Sequence, residues 1–439
     1  MIVKRSARLS ESAQADFTTT VDGGVVVPFA VEVVDVDAEP RSLVLRTGSG
    51  TPCRGALLIA RRSGRPFGVV TVPADAEGHV DASQVASAVG RLPVPAVAEP
   101  PACRPRPSTP RISVVVSTCA RTESVLRCIR SVLACDYENF EVIVIENAPE
   151  RSATAGAIAA SFPDEPALRY LEEPHVGLSH SRNAGLAWAT GEVVAFTDDD
   201  VVVDRGWLRA IADGFAPEVG CVTGLIMPLS FDNEFQVMFE RFAAFGKGFV
   251  RREFSITDPP TQHNRLLPYA AGHLGSGANM AFLTVLAREI GGLDPLLGAG
   301  TPTFGGEDID ILATVLLRGY KLVYEPAALI FHDHPRSYTG IRSRAFAYGV
   351  GLTAMLSKHL FVGPRRELVA RIPAGIVYVL DPKSRKNAPR GSGYPLAYTM
   401  FEFLGMAVGP FAYIASAFLS LSRRSSWRPR ILPVRQRRA

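Results

Sequence analysis

Three consecutive carboxylates, Asp198-Asp199-Asp200, follow the apolar run Val193 to Thr197. Such a run reads as a buried strand, and acids at its exit are costly to desolvate unless a cation compensates them. Mg2+ or Mn2+, held by one or two carboxylates and the phosphates of a ligand, meets that need. An EF-hand is excluded, because the Gly and Glu that its loop requires at positions six and twelve are missing. A second acidic pair, Glu307-Asp308, opens a helical pattern after a loop, Gly291 to Gly306, that carries six glycines. A Gly-rich loop before a paired acid suits a mobile lid that orders over a bound substrate. The apolar run Leu329 to Phe331 ends in His332-Asp333-His334, and a histidine beside the Asp cluster could complete a metal shell. Between Gly177 and Gly185 a glycine-flanked helix start offers free backbone N–H groups to a phosphate, and Arg182 adds a charged fork.

Several other chemistries fall away. No G-x-G-x-x-G follows a strand and no P-loop signature occurs. The stretch Gly177-Leu178-Ser179-His180-Ser181 lacks the last glycine of a nucleophile elbow.

The elements that must position these residues alternate. Ile112 to Val116 is a continuous β-branched run, and Val125, Cys128, Ile129, Val132 and Leu133 follow at helical spacing. Phe140 to Ile145 is the next strand, Ala153 to Ser161 a helix, Leu168 to Leu171 a short strand, and His180 to Thr190 a helix closed by Gly191. Alternation of this kind predicts an α/β fold with a mostly parallel sheet, whose ligands bind at the carboxyl ends of the strands. The Ser117-Thr118-Cys119-Ala120-Arg121, Glu146-Asn147 and Asp198-Asp200 segments are those ends.

Taken in order, Ile112-Ser113-Val114-Val115-Val116-Ser117-Thr118, Arg182-Asn183-Ala184-Gly185, Asp198-Asp199-Asp200, Gly277-Ala278-Asn279-Met280-Ala281-Phe282 and Glu307-Asp308 resemble the family 2 glycosyltransferases of GT-A fold. The similarity spans about residues 111–360. The resemblance implies an inverting transfer of a sugar from a nucleotide-diphospho-sugar, a UDP-sugar by expectation, to a hydroxyl of a saccharide or lipid-linked acceptor. It implies donor contacts from Thr118, Arg121, Glu146, Asn147, Arg182, Asn183, Asp198, Asp199 and Asn279. Asp198 and Asp200 would be the D-x-D acids that hold a divalent metal, Mg2+ or Mn2+, with His332 as an additional ligand. Asp308 would be the catalytic base, with Glu307 orienting it or the acceptor. Glu146-Asn147-Ala148 departs from the two acids that relatives often carry, and Ser181 replaces a usual Ala. A nucleotidyltransferase of related fold, or a non-catalytic nucleotide-sugar-binding module, is the alternative.

Composition frames this site. The 439 residues carry a formal charge of +4, and 47% of them are apolar, which allows a sizeable core. From Gly363 onward there are 14 Lys or Arg against three acids, a net of +11, so residues 1–362 carry −7. An acidic body with a basic end argues against nucleic acid as a partner. Six cysteines show no C-x-x-C pair, which suits a reduced compartment. The opening residues lack the apolar stretch of a leader, so a cytoplasmic setting is expected.

Four units follow: a β-rich accessory module over 1–92, a proline-rich linker over 93–110, the GT-A domain over 111–362, and a membrane-associating segment over 363–439. In the last, Phe403 to Ser422 is free of charge and flanked by basic stretches on both sides. Gly405, Gly409 and Pro410 lie in it where a bend is cheap. The expectation is a kinked interfacial or re-entrant segment held at the inner face of the cell membrane by apolar burial and anionic lipid.

Overall fold

A computed structural model describes residues 20–21, 24–25, 27–93, 109–243, 245–256, 266–362, 365–381, 384, 387, 395–422 and 430–431. The expected linker lies almost wholly outside the described residues, as do residues 1–19 and most of the two basic stretches that flank the charge-free segment.

The main body is a mixed sheet of ten strands. These are β1 (Ile112–Thr118), β2 (Phe140–Glu146), β3 (Leu168–Glu172), β4 (Val193–Asp198), β5 (Val201–Val203), β6 (Val219–Pro228), β7 (Arg252–Phe254), β8 (Met280–Leu283), β9 (Lys321–His332) and β10 (Arg430–Ile431). The helices are α1 (Thr122–Leu133), α2 (Thr154–Ser161), α3 (Leu178–Trp188), α4 (Trp207–Gly214), α5 (Glu234–Ala243), α6 (Thr284–Glu289), α7 (Glu307–Leu317), α8 (Tyr338–Val362), α9 (Arg365–Leu380) and α10 (Leu396–Ser422).

Strands β3, β2, β1 and β4 are parallel neighbours in that order. Beyond β4 the chain reverses direction. Strand β8 pairs antiparallel with both β4 and β6, and β6 then pairs parallel with β9. The α/β expectation holds, but the sheet is mixed rather than mostly parallel. The reason is that β8 is fed by a long excursion after β6 rather than by a single crossover helix.

Period-2 alternation explains why β1, β2 and β4 read as unbroken apolar runs. Val114, Val116, Val142, Val144 and Ala195 face one core, with Val125, Cys128, Ile129 and Val132 of α1. Val115, Ile143, Ile145, Val194 and Phe196 face a second core, with Ala184 and Leu186 of α3 and Leu312 and Leu316 of α7. Each such side chain contributes about 1.5–3 kcal/mol on full burial. The sheet is thereby clamped on both faces, and its strand ends have little room to move.

The N-terminal module is β-rich, as expected, around strands Phe29–Asp35, Gly55–Arg62 and Arg65–Pro73, with one helix, Ala82–Gly90, that the apolar runs did not suggest. It is not a bead on a string. Phe29, Leu57 and Ile59 share a core with Leu225, Met227, Phe231, Tyr324 and Leu329 of the main body. Phe29 and Phe231 exchange backbone hydrogen bonds, and Arg61 and Arg65 reach Asp204 and Glu325 at 3.1 and 3.0 Å.

The C-terminal end is helical. Helix α10 continues as one helix through Pro410 rather than turning back on itself. Gly405 and Gly409 have a packing role. They bring α10 against α8, because a Cβ at either would collide with the α8 backbone at Phe346 or Val350. The stripe Tyr398, Glu402, Gly405, Gly409, Ala412 and Ser416 is buried, whereas Leu396, Met400, Leu404, Phe411 and Phe418 stand exposed. Helix Leu396–Ser420 is long and apolar enough to cross a membrane, and 28% of its apolar window is buried.

Candidate functional site

The carboxyl ends of β1, β2 and β4 meet the end of β9 and the start of α7. At the end of β4, Asp198, Asp200 and His332 present ligand atoms that all lie within 4.8 Å of one another. Strand β5 sets this distance: Val201 pairs with His332, so the antiparallel ladder carries the end of β9 to the acids. The Asp200 Oδ1 atom is buried, accepts no hydrogen bond, and faces His332 Nε2 at 3.4 Å. A carboxylate oxygen left without a donor beside an imidazole nitrogen is the arrangement that a divalent cation would complete, and the donor set of two carboxylates and one imidazole suits Mg2+ or Mn2+.

The surrounding charges divide the three acids. Arg121, from the turn after β1, pairs with Asp199 at 2.9 Å and with Asp200 at 2.8 Å. Thr118 donates its hydroxyl to Asp199 at 2.8 Å. Burial, aided by the adjacent Asp200 and Asp198 charges, still raises the Asp199 carboxyl to about 7, with Arg121 opposing. Asp199 thereby anchors the turn after β4 to Thr118 and Arg121. Burial also works against ionisation of Asp198, but Arg182 and His332 outweigh it and hold that carboxyl below its ordinary value. The His332 imidazole is held below its ordinary value by burial, against the pull of Asp200.

Arg182, 1% exposed, is the hub. It donates to Asp198 at 2.8 Å, to Glu307 at 3.0 Å and to the carbonyl of Gly277 at 3.1 Å. Position 277 requires glycine, because a Cβ there would lie 2.9 Å from the Arg182 guanidinium and 3.1 Å from the Asp308 Cβ. Asp308 Oδ2 accepts the Gly277 N–H at 2.8 Å, and its side chain stays half-buried at the cleft. The two acids thus differ. Glu307 is buried against Arg182, and burial together with the Asp308 charge raises its carboxyl to about 7. Asp308 is only half-buried, and its Oδ1 accepts the N–H of Ile309 at 2.8 Å.

The structure engages several other expected donor contacts in holding the frame. Glu146 accepts the N–H groups of Ala120 and Ala148 and the Ser152 hydroxyl. Asn147 donates to the carbonyls of Glu173 and His175 and accepts the N–H of Gly177, tying the β2 and β3 ends to the start of α3. Asn183 clasps the backbone of Leu293 through both of its amide atoms. Asn279, 1% exposed, accepts from the Trp207 indole and donates to the carbonyls of Leu225 and Ala328. An amide pairs with backbone wherever strands end without a ladder; Asn147 and Asn279 sit at such ends, whereas Asn183 lies within α3.

The Gly-rich loop is seated rather than open. Leu178 donates to the carbonyl of Ala299 and Ser179 to that of Leu297, and Thr303 is fully buried. Leu297 packs with Ala354, Met355 and Tyr413 of α8 and α10. Sequence reasoning did not anticipate what α8 contributes. Lys358 spans Asp294 and Asp310 at 2.9 and 2.7 Å, fixing α7 to α8, and the positive charge of Arg344 reaches His332. Nor did it anticipate Glu240, which holds His334 at 2.7 Å. The His-x-His spacing was the one available signal, and it says nothing of a partner on α5.

Residues 113–289 match the family model Glycosyl transferase family 2. The chain is 29% identical over 194 residues to a pre-mycofactocin glycosyltransferase of Mycobacterium tuberculosis (strain CDC 1551 / Oshkosh), covering 44% of this chain and 38% of that protein. It is 30% identical over 123 residues to a glucosyl-dolichyl phosphate glucuronosyltransferase of Haloferax volcanii, covering 27% and 39%. Each match therefore spans less than two thirds of the relative's own length. Among solved structures, a mannosyltransferase from Pyrobaculum calidifontis in complex with GDP-Man and Mn2+ superposes with a TM-score of 0.46 at 19% identity, over 74% of this chain and 92% of that one.

Proposed function

We propose that the chain, whose residues 113–289 match the family model Glycosyl transferase family 2, transfers a sugar from a nucleotide-diphospho-sugar to a hydroxyl acceptor with inversion. The observation that carries this reading is the close approach of Asp198, Asp200 and His332, linked through Arg182 and Gly277 to Asp308.

A divalent ion held by Asp198, Asp200 and His332 would neutralise charge on the leaving diphosphate. The chain's own groups do the rest. Arg182 keeps Asp198 ionised and oriented from behind. Arg121 balances Asp199 and Asp200, and it lies half-exposed where a diphosphate would enter. Asp308, held by the Gly277 N–H, accepts the proton of the acceptor hydroxyl as the new glycosidic bond forms. Glu307, buried on Arg182, orients that segment. A single base acting on the acceptor hydroxyl implies a single displacement.

The acceptor is proposed to be membrane-bound, a lipid-linked or envelope saccharide reached from the cytoplasmic face. The exposed apolar stripe of α10 and the exposed Val369, Ile372, Ile376 and Leu380 of α9 support this reading, as does the net charge of +11 from Gly363 onward.

The test is a donor screen with membrane extract as acceptor and Mg2+ or Mn2+ present. Release of a nucleoside diphosphate with one donor, abolished by chelation, supports the proposal. Release of pyrophosphate would instead identify a nucleotidyltransferase, and binding without turnover of any donor would identify a sugar-nucleotide sensor.

A further inference from the structure

The candidate metal ligand His332 is one end of a buried chain that continues through His334 to Glu240. His332 Nδ1 lies 3.2 Å from His334 Nδ1, and His334 Nε2 lies 2.7 Å from Glu240 Oε2. The chain is sealed from water: the side chain of His334 is fully buried and that of Glu240 is 6% exposed. Phe239 packs edge-on to His334 with ring centres 5.0 Å apart, and Phe245 covers His332 at 5.5 Å. The positive charge of Lys247 lies near Glu240, and that of Arg344 near His332.

With Glu240 ionised and His334 neutral, counting hydrogens along this chain leaves one arrangement. An ionised carboxylate only accepts, so the Glu240 contact requires the hydrogen on His334 Nε2. A neutral imidazole carries a single N–H, so His334 Nδ1 is then an acceptor. The Nδ1 to Nδ1 contact needs one hydrogen between two nitrogens, and it must come from His332. His332 therefore bears its hydrogen on Nδ1, and its Nε2 lone pair points at Asp200 Oδ1, 3.4 Å away. Two acceptors facing each other repel unless a cation lies between them. That is the condition a metal ligand must meet.

We propose that Glu240 and His334 are positioning residues that fix the His332 tautomer, so that Nε2 is presented to a divalent cation shared with Asp198 and Asp200. The inference rests on the metal reading of the site given above. It adds two residues, Glu240 on α5 and His334 in the segment after β9, that act through His332. Groups that hold the far nitrogen of a ligating histidine typically change metal affinity by about 10–100-fold.

Two measurements test it. In metal-free protein, 15N NMR of the His332 ring reads the tautomer directly: the expected result is a protonated Nδ1 and a bare Nε2. A proton on Nε2 in the wild type would overturn the inference without reference to any metal or to any variant's ability to fold. Second, Mn2+ affinity is measured by the EPR signal of the free ion. His334→Phe and Glu240→Ala, which remove the acceptor and the anchor, should weaken binding about 10–100-fold. His334→Asn, whose amide oxygen can still accept from Nδ1, should restore most of it. Mn2+ binding that is lost in His332→Ala but unchanged in His334→Phe would sink the relay and leave the metal site standing. A wild type that binds no Mn2+ at all would sink the metal reading, and the NMR result would then decide the relay by itself.

Discussion

Arg182 and Glu307 are 125 positions apart in the chain and meet at 3.0 Å, with the arginine 1% exposed. The same guanidinium reaches Asp198 at 2.8 Å, so one buried cation ties the candidate metal cluster to the helix that bears the candidate base. The planar fork spreads its donors across two nitrogens in a fixed plane and so matches these three acceptors, whereas an ammonium gathers its donors on one atom at the end of a shorter stem. Arg182→Lys is therefore expected to lower kcat/KM by about 100-fold or more. It should also destabilise the fold by about 3 kcal/mol, since a carboxylate is left buried without its partner. Urea unfolding and steady-state rates check both, and near-native activity in the variant would remove Arg182 from its role.

The same pair sets a pH dependence. Burial and the Asp308 charge raise the Glu307 carboxyl from 4.5 to about 7 in the folded protein. Between those values the folded state holds a proton that the unfolded chain has released, so stability falls as pH rises through the window. The slope from this one group reaches at most about 1.4 kcal/mol per pH unit. Glu307→Gln removes the group. Unfolding free energies of metal-free protein at pH 5 and pH 7 should therefore change less in the variant than in the wild type, and equal changes would contradict the shift.

Asp308 stands half-buried at the cleft with one oxygen on the Gly277 N–H. Asp308→Asn keeps the shape and removes the base. It should reduce kcat by at least about 100-fold while donor affinity, read by calorimetry, stays within about threefold. An active variant would reassign the base, with Glu307 the next carboxylate to examine.

How much of this was legible in the sequence depends on distance along the chain. The runs at Ile112, Phe140 and Val193 announced buried strands because both of their faces are covered, and their polar ends located Asp198 to Asp200. Spacing could not tell a ligand from a scaffold amide. Asn147, Asn183 and Asn279 have the residue types of a binding site, yet most of their partners are backbone groups contributed by distant segments. Glycine was ambiguous in the same way. Gly405 and Gly409 suggested a bend in a charge-free stretch, whereas they mark where another helix comes close. Docking of the N-terminal module through Phe29 and Arg61 left no local signal at all, because the matching surface lies on β6 and β9.

That helix contact yields its own prediction. A Cβ at Gly409 would strike Thr353 and the carbonyl of Val350, both on α8, and α8 in turn holds Asp310 of α7 through Lys358. Gly409→Leu should push α10 away from α8 and lower the thermal midpoint by several degrees, consistent with about 1–3 kcal/mol of overpacking. Because α8 also braces α7, activity should fall with it. A variant with unchanged melting and activity would show that the two helices do not depend on this crossing.

The opposite face of α10 gives a test of the membrane reading that leaves the active site untouched. Phe411 and Phe418 are 73% and 70% exposed and lie on the stripe away from α8. Seating such side chains in a bilayer interface is favourable by about 25 cal/mol per Å² of apolar area, and the basic end of the chain adds attraction to anionic lipid. Phe411→Asp with Phe418→Asp should reduce co-sedimentation with vesicles containing phosphatidylserine by at least about tenfold, since each change removes apolar area and adds a like charge. Turnover of a water-soluble acceptor should be unaffected, because both side chains stand exposed on the surface of α10. Unchanged vesicle binding in the double variant would assign the exposed stripe to something other than lipid.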